Sequence, residues 1–208
     1  MKKIPLPRCA FLPSALLGLA LFNGCAAAAR PTAAPAATTS ATASAPGPRL
    51  SAEKTVARNN AASLLFQLVE DEKNVHVILL VKGNRADVAS LVQAISATAG
   101  DASKNLLLLA QADPTLNLHA TDLPAGEVAA RAAIAKVKTH QLLLSTGDNF
   151  EFALLLTQAD ALSYGYNLAQ IAADNSSDPV QRQTFTAIRE AMKSQYQQVI
   201  AFIRTSAK

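Results

Sequence analysis

From Ser51 onward, large apolar residues recur every three or four positions, and this spacing is broken only at a few turn signals. The clearest stretch is Phe185, Ile188, Met192, Tyr196, Val199 and Ile203, which share one side of a helix and would scatter over both faces of a strand. Val88, Leu91, Ile95, Ala99, Ala102, Leu106 and Leu109 keep the spacing straight across Gly100. One long helix is expected there, ending before Asp113-Pro114. Upstream, Ser51 reads as an N-cap, and Val56, Asn60, Leu64 and Leu68 mark a first helix to about Asp71. Downstream, Pro124 opens a helix carrying Val128, Ile134, Val137 and Leu144 to a stop at Gly147. Asp148 followed by Glu151 resembles a capping box for the next helix. That helix bears Leu155, Gln158, Leu162 and Tyr166, beside a seam of Ala161, Gly165, Ala169 and Ala173 that lets a neighbour approach closely. Asp178-Pro179 caps and opens the last helix.

Residues 75–82 (VHVILLVK) form the one strand-like run. A lone strand has nothing to pair with, so the run is read as a short buried helix, with the start of a βα unit as the alternative. The expected fold is therefore all-α: an antiparallel bundle of about four long helices with one or two short extra helices, over residues 51–208. Composition agrees, with 43 Ala and no Trp in the chain, since Ala favours helix and aromatic and β-branched residues favour sheet.

The first fifty residues read differently. Lys2, Lys3 and Arg8 precede an apolar run of 14 residues, 9–22, too short for the about 20 residues of a membrane-spanning helix and of the length of a signal-peptide core. Leu21-Phe22-Asn23-Gly24-Cys25 follows. This resembles the lipobox of bacterial lipoproteins, with Gly24 and Cys25 matching and Phe22 and Asn23 departing from the favoured residues. The resemblance implies cleavage after residue 24, a diacylglyceryl thioether on Cys25 and acylation of its new amino group, palmitate being one such chain. The only other cysteine, Cys9, lies within the signal, so the processed chain would have no disulfide. Among such lipoproteins Asp after the lipidated Cys favours inner-membrane retention, and Ala26 stands here. The expected location is accordingly the outer membrane, facing the periplasm. Ala27-Ala28-Ala29 would serve an ordinary signal peptidase, so a secreted soluble protein is the alternative. Residues 25–50 are rich in Ala, Thr, Ser and Pro and lack the apolar bulk for a core, so they read as a tether reaching roughly 25–30 Å as a flexible chain.

Charge and motifs narrow the function. Five of the 19 Lys and Arg precede Glu53, but none of the 15 Asp and Glu do, so the helical region is nearly neutral. A nucleic-acid partner, which needs an excess of cations against phosphate, is not expected. Zinc, calcium, nucleotide and serine-hydrolase signatures are missing from the sequence. Ser51-Ala52-Glu53-Lys54 fits S-x-x-K without the companion elements that such catalysis requires. No Glu has His three residues later, which tells against a di-metal bundle. Glu72 and His76 are four apart and amount to half a metal site at most, and His140 with Met192 would be the sole pair for a haem.

Four polar residues fall on inward-facing positions: Glu127 with Arg131 four residues on, Glu151, and Gln158. Buried polar groups need partners, so these are expected to form a network that fixes helix register. The sequence thus points to a membrane-anchored envelope lipoprotein carrying a helical interaction or structural module, without catalysis, metal or cofactor. Its partners would be the membrane, through lipid on Cys25, and another envelope protein. A bundle that binds a small ligand or cofactor is the alternative.

Overall fold

Ser51 accepts a hydrogen bond from the Lys54 amide at 3.3 Å and so starts α1, Ala52–Glu72. A 3₁₀ segment, Val75–Leu80, leads to α2, Ala86–Ala112, which runs through Gly100 and ends at Asp113-Pro114 as the spacing predicts. Three helices follow: α3, Ala125–Leu144, α4, Gly147–Asp174, and α5, Pro179–Ser206. The Asp178 carboxylate caps α5 by accepting from the Val180 amide at 2.7 Å. The computed structural model describes residues 51–82, 84–119 and 123–206. The expected signal peptide, the lipid attachment at Cys25 and the tether lie outside the described residues. The described residues form helices and no strand, and the fold is all-α. No described helix is long and apolar enough to cross a membrane.

The cross-links give the topology. Glu70 meets Ser103 and Lys73 meets Ser96, so α1 and α2 are antiparallel. Gln195 reaches Thr98, and Gln181 reaches Asp113, so α2 and α5 are antiparallel. Gly165 lies under Met192 and Leu68, and Arg189 bonds Gln170. These contacts set α4 beside both α5 and α1, and the ring closes in the order α1, α2, α5, α4. Because α2 ends at one end of the ring and α4 starts at the other, the chain must cross the full length between them. That crossing is α3, which packs on the outside of α4.

The core follows the small-residue seam. Ala169 and Ala173 of α4 are buried, as are Phe185, Ile188, Met192 and Val199 of α5. Of the expected α1 stripe Leu64 is buried and Leu68 half-buried, but Val56 is exposed, and the inward face is wider than expected, taking in Ala61, Ala62, Leu65, Phe66 and Val69 with Arg58. Residues 75–80 are helical in the 3₁₀ sense, which answers the strand alternative. They are not buried, however, and Leu80 and Val81 face solvent. Val75, Ile78 and Leu79 pack against a second, smaller cluster of Val88, Val92, Leu142, Phe150 and Leu154 at that end of the bundle.

Two local expectations are corrected. In α3 only Leu142 is buried, and Ile134, Val137 and Leu144 are exposed, because a helix on the outside of the ring, packed mainly on α4, has little surface against which to bury a stripe. Gly147 does not end α3 but begins α4, with φ of +54°. This left-handed conformation is one that glycine adopts without steric cost. Thr146 is therefore the N-cap residue of α4, and Glu151 turns away from the cap.

Candidate functional site

The four inward polar positions part company. Glu127 accepts from Arg131 Nε at 2.8 Å as its spacing predicts, but on an exposed face of α3. Arg131 also donates to the Tyr164 hydroxyl and stacks over its ring with its guanidinium carbon 4.7 Å from the centroid. The pair is thus a clasp between α3 and α4. Glu151 is buried and bound to the start of α2: its Oε1 accepts from the Arg85 amide at 2.5 Å and its Oε2 faces Arg85 Nε at 3.0 Å. Gln158, 1% exposed, belongs to neither. The expected four-residue network is three separate arrangements, of which only Glu127–Arg131 joins two of the named residues.

At the opposite end of the bundle sits a buried cluster without any counterpart in the sequence reading. Arg58, 3% exposed, donates to Asp113 at 3.4 Å, Gln181 at 3.2 Å, and the Thr115 carbonyl at 2.9 Å. Burial works against the Asp113 carboxylate, but hydrogen bonds from Thr115 and Gln181 and the Arg58 charge outweigh it and hold its pKa below the ordinary value. Every polar atom named here is satisfied, so the cluster reads as a fastening.

The cavity is different. About 440 Å³ lies between the end of α1, the 3₁₀ segment, the end of α3 and the first half of α4, within the range of small-molecule sites. Val75, Ile78, Leu142 and Leu154 supply an apolar wall, and Glu70, Asp71, Glu72 and Gln158 a polar one. Glu70 is satisfied by Lys73 Nζ at 2.7 Å and Ser103 Oγ at 2.5 Å. Glu72 is not. Its Oε2 is shut off from solvent without a hydrogen-bond partner among the described residues, and so is Gln158 Oε1.

No family model, curated protein or solved structure matches this chain.

Burial pushes the Glu72 carboxyl up to about 7; a hydrogen bond from Gln158 opposes the rise, Asp71 adds to it, and Lys138 opposes it. Burial and the Glu70 charge push Asp71 up to about 6. Three consecutive acids also end α1, where the helix dipole disfavours negative charge. That conflict between local preference and charge was the signal in the sequence, and conflicts of this kind concentrate at functional positions. Among the described residues no group of three or more His, Cys, Asp and Glu is placed to hold a metal ion. His76 turns away from Glu72 to the Ser96 hydroxyl at 2.7 Å. His140 is exposed while Met192 is buried in the core, so they do not make a haem pair. The arrangement can accept hydrogen bonds and hold a proton, and it presents no activated nucleophile.

Proposed function

We propose that the mature protein is a lipid-anchored envelope protein whose helical bundle binds a small, partly apolar molecule in the cavity at the N-terminal end of α4. The observation that carries the binding part is the pair of solvent-shielded, unpartnered oxygens, Glu72 Oε2 and Gln158 Oε1, beside about 440 Å³ of space. Each such atom costs about 1–3 kcal/mol while it lacks a partner. The anchoring part rests on the lipobox-like residues 21–25 and the near-neutral charge of the helical region, which gives anionic lipid little to attract. The cavity moves ligand binding ahead of the plain interaction module. That module remains the second reading, and the exposed Ile134, Val137 and Leu144 on α3 favour it.

Titration of the full chain with a neutral solvatochromic naphthalene dye tests the cavity. Saturable binding of one dye per chain is expected, with at least a tenfold loss in Thr157→Trp, whose indole would occupy the space lined by Thr157. Absence of saturable binding, or binding indifferent to Thr157→Trp, would leave the interaction module as the reading.

A further inference from the structure

Resting on the cavity as a ligand site, we propose that its ligand is a small organic ammonium: a cationic nitrogen bearing N–H donors on an apolar body, held by Glu72 and Gln158. The recognition chemistry follows from which atoms are free. On the Gln158 carboxamide the buried atom without a partner is the oxygen. The free atom on Glu72 is likewise an oxygen. Both vacant valences accept, and a ligand that also accepts, such as a carboxylate or phosphate, would leave both unpaired and face the acids besides.

On α1, Lys73 is taken by Glu70, and neither Asp71 nor Glu72 has an ion-pair partner among the described residues. On α3, Lys138 acts on Glu72 from a distance, but it is paired with Asp160 of α4 at 2.6 Å, which offsets its charge. On the 3₁₀ segment His76 bonds Ser96. Behind Glu72, α2 and α5 present the uncharged Thr98 and Gln195. The polar wall therefore carries excess negative charge, and the apolar wall opposite suits a hydrocarbon or aryl body. A bound ammonium would supply the counter-charge that Glu72 lacks and draw its carboxyl into the ionised form.

The test is calorimetric titration of the full chain, as isolated, with three probes that share one body: 4-phenylbutylammonium, 4-phenylbutanol and 4-phenylbutanoate. The proposal expects the ammonium to bind at least tenfold more tightly than the alcohol at pH 8, and the carboxylate most weakly. The ammonium's advantage should shrink at least threefold at pH 5, where Glu72 is protonated, while the alcohol changes little. Glu72→Gln should bring the ammonium down to the level of the alcohol, and Gln158→Leu should cost it several-fold, with circular dichroism confirming that both variants are folded. If Glu72→Gln does not fold, the pH dependence and Gln158→Leu decide. Equal binding of alcohol and ammonium at pH 8, or preference for the carboxylate, overturns the ammonium while leaving the cavity reading intact. Failure of all three probes overturns the cavity reading itself.

Discussion

Glu72 couples the cavity to the stability of the fold. Its carboxyl holds a proton up to about pH 7 when folded, against an ordinary value of 4.5. Between these values the folded chain binds more protons than the unfolded one, so stability falls as pH rises through the window and levels off above it. Asp71, raised to about 6, adds in the same direction over a narrower window. Replacing Glu72 by Gln keeps the shape and removes the ionisation. At pH 8 Glu72→Gln is expected to be more stable than wild type by about 1–3 kcal/mol, and at pH 5 nearly equal to it. Urea midpoints at the two pH values measure this, and an unchanged difference between them would contradict a shielded acid at this position.

Among the helices, α4 meets α5 and α1 through Gly165. A Cβ there would lie 2.6 Å from Met192 Sδ and 3.0 Å from Leu68 Cδ2. The Met192 thioether can shift to admit one methyl, and Ala recovers about 1 kcal/mol of helix propensity. Gly165→Ala is thus expected to be nearly neutral, whereas Gly165→Leu should lose about 1–3 kcal/mol or more by overpacking. An unchanged melting temperature for the Leu variant would show that the seam does not bear on α5. The outer helix behaves oppositely. With Leu142 alone buried, α3 should exchange its amides faster than α4 and α5, and Arg131→Ala should speed it further by opening the clasp to Tyr164. Exchange in α3 unaffected by that change would place its attachment elsewhere. These two helices also show why the sequence was legible in one place and not in another. Periodicity marks a core face when a helix has neighbours on that side, as α2 and α5 do; α3 has the same spacing but lies outside the ring, packed mainly on α4, and its stripe stayed outside. The inward placement of Glu151 and Gln158 was legible from their register with Leu155 and Leu162, but their partners Arg85 and Glu72 come from other helices, which no local spacing encodes. Glu72 was legible only as half a metal site, although the run of acids against the α1 dipole marked it.

For the molecule as a whole, the expected attachment at Cys25 can be separated from the folding of the helices. Wild-type chain made in a bacterium should fractionate with membranes and incorporate labelled palmitate. Cys25→Ala should lose the label while keeping the helical circular dichroism of the bundle, and soluble wild type without lipid mass on Cys25 would mean secretion instead. If the anchor is there, tension becomes a property of the protein. A pull arriving from the residues before Ser51 would enter at the first turn of α1 and begin to peel it. Within two turns it would meet Arg58, tied at once to α2 through Asp113, to the loop after it through Thr115 and to α5 through Gln181. Unravelling is halted there, a bundle's length away from the cavity, which would leave that cavity undisturbed by strain on its own leash.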